Sequence, residues 1–279
     1  MIPSPLQYGF LNRPVGGSWT PAQLASPPSF WLDYTSTVTD AGGGACSQWN
    51  DISGNAWHVT QSSAGARPTI IASGLNGKRT ISFDGTADLM TRVNADIAAL
   101  YQNQPQGWQF FVLKKNATDS PSTSARQDSV NITATGGSRF SLGMNGNGVS
   151  DKAQIVVRRL DADSAGILIG ATTLTTAFNI HMATMDWSAG DGTLYLNGTQ
   201  DAQNLTLTSS GNTSNTAAAG NVYYLGQGTN FTNSQMFIVM LGRTIPSTVE
   251  RQKLEGWAAW AGGLQANLPV DHPYKFFAP

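Results

Sequence analysis

The chain is 279 residues long with a formal net charge of −1, and only 12% of it is charged, about half the roughly 25% of ordinary soluble domains. That balance removes the clustered Lys and Arg a phosphate-binding surface needs, and the single Cys46 excludes an internal disulfide framework or a cysteine-based zinc site. A 40% apolar content is enough for a sizeable core, yet no apolar run of about 18 residues reads as a membrane span, and Met1 opens on Ile-Pro-Ser-Pro without the basic and apolar regions of a secretory signal.

Residues 1–28 carry Pro3, Pro5, Pro14, Pro21, Pro27 and Pro28, spaced by Tyr8, Phe10 and Trp19. They read as a proline-rich arm without strand or helix, which is either disordered or an extended attachment segment with aromatic anchors. From Phe30 onward, short β-type runs alternate with Gly, Asn and Ser at the spacing of a sandwich. The strongest are 80–83, 108–113, 139–144, 154–160, 180–187, 193–196, 222–225 and 236–241. The run 193–196 ends in Asn197-Gly198, the pair that supplies two positive-φ residues for a type I′ hairpin. The run 236–241 is apolar throughout, which predicts a central strand covered on both faces.

Helix is scarce. Residues 94–101 can form two turns with Asn94 as cap. The clearer signal starts at Ser247, where Ser-Thr-Val-Glu forms a capping box between the Ser247 hydroxyl and the Glu250 carboxylate. Gly262-Gly263 stops this helix, and Leu254, Trp257, Ala258 and Ala261 form its buried stripe. Glu250 and Glu255 are the only glutamates among 17 acidic residues; Glu250 is read as the cap and Glu255 as solvent-facing. The expected organisation is an arm over 1–28, a sandwich over 29–263 that includes the helix 247–261, and a tail over 264–279 packed on the sandwich.

Several blocks carry a family resemblance: Phe30-Trp-Leu-Asp33, Trp49-Asn-Asp-Ile-Ser-Gly-Asn55, Arg67-Pro-Thr69, Phe83-Asp-Gly85 with Asp88-Leu89, Leu194-Tyr-Leu-Asn-Gly198, and Glu250 to Trp257. The closing block from Gly263 to Pro269, with His272-Pro-Tyr274, completes the set. Together they resemble the concanavalin A-like lectin/glucanase (laminin-G-like) jelly-roll proteins, particularly versions in bacteriophage virions. The resemblance spans residues 30 to 275 and implies an all-β fold: an antiparallel jelly-roll β-sandwich with a short C-terminal helix. The blocks also have local readings. Asp51, Asp84 and Asp88 suit tight turns whose backbone N–H groups their carboxylates accept.

A glycosidase of this family would need two carboxylates across a cleft. The resemblance implies a Glu-x-Asp-x-x-Glu type of strand, and the chain has none. Asp186 is the best-placed single acid and has no visible partner. His58, His181 and His272 show no metal-ligand spacing and read as structural, and Gly-x-Ser-x-Gly is absent. Asp161-Ala-Asp163-Ser-Ala-Gly166 starts like a calcium loop, but Ala165 and Thr172 stand where later oxygens belong, so it reads as a hairpin connection. No metal site or cofactor is assigned; the resemblance leaves open a calcium ion held by separate loops.

Sugars stack on exposed rings, so aromatic residues in irregular segments matter most. Tyr34, Trp57 and Trp19 are the candidates for a glycan platform, whereas Trp108, Trp187, Trp257 and Trp260 are expected in the core. The resemblance implies a non-catalytic virion surface protein: a head decoration, a fibre or a tail-associated receptor binder. Its partners would be other virion proteins met through the arm, further copies of itself and a host-surface glycan, with no nucleic acid and no membrane insertion. The alternatives are a carbohydrate-binding adhesin or lectin module and, behind it, a glycoside hydrolase.

Overall fold

The computed structural model describes residues 19–93, 97, 99–117, 127–134, 137–146, 149–214, 222–227 and 231–279. In the first sheet lie β1 (Phe30–Leu32), β5 (Thr69–Leu75), β6 (Lys78–Asp84), β8 (Gln106–Lys115), β13 (Asn179–Asp186), β14 (Asp191–Leu196), β15 (Thr199–Asn204) and β17 (Asn233–Gly242). Their order is β15-β14-β13-β8-β17-β6-β5, with β1 paired to the second half of β17. The second sheet holds β2 (Val38–Asp40), β3 (Cys46–Trp49), β4 (Val59–Thr60), β7 (Met90–Val93), β9 (Gln127–Ala134), β10 (Gly137–Gly146), β11 (Val149–Val157), β12 (Gly166–Thr173) and β16 (Val222–Leu225). It runs β12-β11-β10-β9-β16-β7-β4-β3-β2. Neighbouring strands in both sheets are antiparallel, and the two sheets enclose one core. The fold is an all-β antiparallel sandwich of the jelly-roll, concanavalin A-like kind with one C-terminal helix.

Each of the eight runs predicted from the sequence falls on a strand. The run 154–160 ends early, at Val157; beyond it the Arg139 guanidinium donates to the carbonyl oxygens of Arg158 and Arg159. The strands without a strong prediction are short, as β2 and β4 are, or polar, as β9 and β15 are. Asn197 (φ 52°) and Gly198 (φ 85°) make the hairpin turn between β14 and β15. Asn76 (φ 48°) and Gly77 (φ 72°) do the same between β5 and β6.

Both β8 and β17 are buried along nearly their whole length. Phe111, Leu113, Val239 and Leu241 face the inter-sheet core with Phe140, Leu142, Ile155 and Tyr223 of the second sheet. Trp108, Phe110, Val112, Phe237 and Met240 belong to a second cluster outside the sandwich, closed by helix α1 (Thr248–Gly262) through Leu254, Ala258, Ala259 and Ala261. Leu24 and Leu268 complete that cover. Residues 19–28 therefore lie against the domain, and they include one 3-10 turn, Pro21–Gln23, where no helix is expected from the sequence. Of the two-turn helix expected over 94–101, the described part is Ile97 and the 3-10 turn Ala99–Tyr101; Asn94 lies outside the described residues.

Helix α1 opens on a capping box. The Ser247 hydroxyl accepts from the Glu250 N–H at 3.3 Å, and the Glu250 carboxylate accepts from the Ser247 N–H at 3.0 Å and from the Ala25 N–H at 2.7 Å. It ends on Gly263 in the left-handed region at φ 69°. Glu255 corrects the sequence reading. It is 1% exposed, because it lies between the helix and the C-terminal tail, with its partner Arg251 against the β14–β15 hairpin. Arg251 binds its carboxylate at 2.6 Å and His272 Nε2 lies 3.2 Å away. The Tyr274 N–H donates to His272 Nδ1, so the ring presents Nε2–H to Glu255. Tyr274 comes so close that a Cβ on Gly256 would stand 2.3 Å from its own Cβ.

Two substitutions grade these contacts. Glu255→Ala takes the carboxylate from a part-buried Arg251 and a buried His272 and is expected to lower unfolding free energy by about 3 kcal/mol. Ser247→Ala removes one cap and is expected to cost about 1 kcal/mol. Urea denaturation of both variants tests the order; equal losses would mean that Glu255 is not the anchor of the tail.

Candidate functional site

Trp19, Tyr34, Trp257 and Trp260 line one shallow cavity of about 160 Å³, together with Ala261, Ala278 and Pro279. Three parts of the chain meet there: the segment before β1, the turn after β1, and the last turns of α1 with the C-terminal residues. Tyr34 is stacked on Phe237 with ring centres 4.9 Å apart, and the Lys78 ammonium stands 4.9 Å from its ring centre. Trp257 is braced edge-on by Trp31 at 5.9 Å. Trp260 donates through Nε1 to the Tyr274 carbonyl oxygen at 2.9 Å, which fixes its ring while leaving the residue 38% exposed. Lys78 and Asn76 both donate to the Ala261 carbonyl oxygen.

The volume lies below the roughly 300–1,000 Å³ of enclosed small-molecule pockets. The surface is a platform of rigid rings, suited to stacking one ring-sized group. Burial, helped by the charge of Asp33, pushes the Tyr34 phenol up from its usual range, so it keeps its proton. Its hydroxyl makes no hydrogen bond among the described residues and offers a donor at the platform.

Two of the three aromatic candidates from the sequence, Trp19 and Tyr34, are thus brought together. Trp57 is not among them; it packs half-buried against the inter-sheet core and donates its N–H to Asp51 Oδ2 at 2.9 Å. Trp257 and Trp260 correct the expectation that both are core. Trp257 is only partly buried, and Trp260 lies off the stripe of Leu254, Ala258 and Ala261, three residues beyond Trp257, and is exposed. That offset from the stripe is the signal in the sequence that could have placed Trp260 at the surface.

The aspartates shape loops. Asp51 accepts from the N–H groups of Trp31, Ser53 and Trp57 and from the Ser53 hydroxyl, tying the turn after β3 to β1. Asp84 accepts from Thr86, Ala87 and Asp88, and Asp88 accepts from the Asp84 N–H at 3.1 Å. Burial works against the Asp84 charge, yet these donors hold its carboxyl below the usual range. Asp88 has a single such donor. Burial and the neighbouring Asp84 charge push it up to about 6.

Asp186 sits at the end of β13, where Gln106, Ser188 and Ala189 all donate to it. Those bonds outweigh burial and hold it below the usual range, the opposite of a general acid. His181 is buried in the core, and burial, against the pull of Asp201, lowers it to about 4. His58 Nδ1 accepts the Asp51 N–H at 3.1 Å. The segment 161–166 does connect β11 to β12, with Asp161 paired to Arg139. Among the described residues no three His, Cys, Asp or Glu side chains are grouped to hold a metal ion. No described helix is long and apolar enough to cross a membrane. A larger cavity of about 380 Å³ beside the start of α1 is lined by Leu24, Ser26, Ile245 and Glu250, and its one carboxylate is already engaged in capping.

No family model and no curated protein matches the sequence. Solved structures match its shape. The binding domain of Paraclostridial Mosquitocidal Protein 1 is similar with a TM-score of 0.58 at 12% identity, covering 81% of this chain and 52% of that one. The two-layer β-sandwich of this chain is thus similar in fold to that toxin binding domain. The botulinum neurotoxin serotype D ligand binding domain, in complex with N-acetylneuraminic acid, gives 0.53 at 11% identity over 82% of this chain and 50% of its own. A Trypanosoma rangeli sialidase in complex with sialic acid gives 0.51 at 13% identity over 81% and 32%. At such identities the likeness is one of fold. The chain spans about half the length of the toxin domains and a third of the sialidase.

The Asp84/Asp88 loop makes stability depend on pH. Because the folded-state value of Asp88 lies above the unfolded one of about 4, its ionised form is penalised: the penalty is absent below about pH 4 and complete above about pH 6. Asp88→Asn keeps an oxygen for the Asp84 N–H and removes the charge. The gain in melting temperature over the wild type should therefore grow between about pH 4 and about pH 7; an equal gain at both would refute the account.

Proposed function

We propose that the chain is a non-catalytic carbohydrate-binding module, an adhesin or lectin in type, which stacks one sugar ring on Trp19, Tyr34, Trp257 and Trp260. The observation that carries this reading is their convergence. Rings separated by more than 200 positions in the sequence share one shallow surface, with Tyr34 braced by a stack, Trp257 by an edge contact and Trp260 by a hydrogen bond. A pyranose offers one apolar C–H face to such rings, and the Tyr34 hydroxyl can meet an equatorial hydroxyl. Two similar folds, the serotype D domain and the sialidase, were solved with sialic acids bound, which supports a saccharide as ligand class.

Bond breaking fits poorly. Asp186 is held ionised in a turn, whereas hydrolysis of a glycoside needs a protonated carboxyl beside a second carboxylate. A place in a bacteriophage virion, with the N-terminal segment as attachment and a homo-oligomeric arrangement, is a narrower proposal that rests on the sequence blocks alone. The fold neighbours speak for a receptor-binding module and add nothing to the virion assignment.

A glycan array tests the reading. The wild type should bind a defined set of glycans, and Trp260→Ala or Tyr34→Ala should weaken that binding by about tenfold or more, the loss of one stacked ring. Asp186→Asn should leave it unchanged. Binding untouched by both aromatic variants, or glycan cleavage that depends on Asp186, would overturn the proposal.

A further inference from the structure

A second cavity, of about 360 Å³, opens beside the first half of α1 and is lined by Thr199, Gln200, Gln252, Pro269, Asp271 and His272. Its volume falls inside the ~300–1,000 Å³ of ordinary small-molecule sites, which the aromatic platform does not reach. Its walls are rigid. One is the Asn197-Gly198 hairpin turn, another is α1, and the third is the tail at Pro269. Beneath them lies the buried group formed by Glu255, Arg251 and His272, with Arg251 also 4.2 Å from the centre of the Tyr195 ring and 3.5 Å from the Gly198 carbonyl oxygen.

Apart from His272, the polar side chains on these walls are almost idle. Among the described residues the side chains of Thr199, Gln252 and Asp271 make no hydrogen bond, and Gln200 has only a 3.4 Å contact with Gln203. Two amides and a hydroxyl each donate and accept, and one carboxylate accepts twice. That set matches vicinal hydroxyls. A hard cation would need more oxygens than one carboxylate supplies. An anion would meet Asp271, while the adjacent cation, Arg251, is neutralised by Glu255. Pro269 supplies an apolar wall for a C–H face.

We propose that this cavity is a second saccharide site, which takes one uncharged sugar ring by paired hydroxyl contacts to Gln252, Gln200 and Asp271. It goes beyond the platform reading and does not rest on it. Two sites on one chain would favour branched or clustered glycans, since the second contact becomes intramolecular.

The test is NMR on ¹⁵N-labelled protein titrated with the methyl glycosides of glucose, galactose, mannose and N-acetylglucosamine, and separately with N-acetylneuraminic acid. At least one neutral glycoside should move the side-chain amide signals of Gln200 and Gln252 saturably. Gln252→Ala, on the solvent side of a formed helix, should weaken that binding by about tenfold, equivalent to ~1.4 kcal/mol, and Trp260→Ala should leave it intact. Three results would overturn the proposal: no neutral glycoside moves these signals, the acidic sugar moves them instead, or Gln252→Ala has no effect. Movement abolished by Trp260→Ala would likewise overturn it, since the ligand would then sit on the platform.

Discussion

A strand that is apolar on both faces must be covered twice, and this chain has two of them side by side. The pair β8 and β17 sends Phe111, Leu113, Val239 and Leu241 toward the second sheet and Trp108, Phe110, Val112, Phe237 and Met240 the other way. Burying each large outer side chain is worth roughly 1.5–3 kcal/mol. Five of them left in water would consume most of the roughly 5–15 kcal/mol that holds a domain together. A sandwich alone supplies only one cover. The second cover is helix α1 with Leu24 and Leu268, and both surfaces proposed to bind sugar are built along that helix.

Because α1 is itself covered on its far side, groups that a surface helix would show to water are drawn inside. Glu255 is buried between Arg251 and His272, and Gly256 lets Tyr274 approach closely. The ion pair of Glu255 with Arg251 lies within α1, and His272 adds a hydrogen bond from the tail, so displacing the tail leaves a buried carboxylate short of one donor. The tail residues Ala278 and Pro279 reach the aromatic platform, and Asp271 and His272 reach the polar cavity. One docked segment thus contributes to both surfaces.

The loop aspartates serve the same end by a different interaction. Asp51 gathers the backbone N–H groups of Trp31, Ser53 and Trp57, and Asp84 those of Thr86, Ala87 and Asp88. Asp33 takes the Trp31 indole N–H at 2.8 Å with the Thr35 N–H and hydroxyl, so the turn that presents Tyr34 is held from within. Burial raises the Asp33 carboxyl against these bonds, a sign of how dry the base of that turn is. Stacking surfaces need such stiffness, because a ring free to rotate loses part of its contact energy to ordering.

The amino-acid sequence by itself determined the layered all-β architecture, the central place of β17, the Asn-Gly hairpin at 197–198 and the capping box of α1. Those features depend on neighbours a few positions apart, through strand alternation, turn dihedrals and helix caps. It did not reveal the burial of Glu255 or the meeting of Trp19 and Tyr34 with Trp257 and Trp260. Periodicity reads which face of a helix is apolar, but not whether a distant tail will cover the other face. Only tertiary folding decided that, by laying residues 264–279 over α1 and so bringing rings from opposite ends of the chain onto one surface.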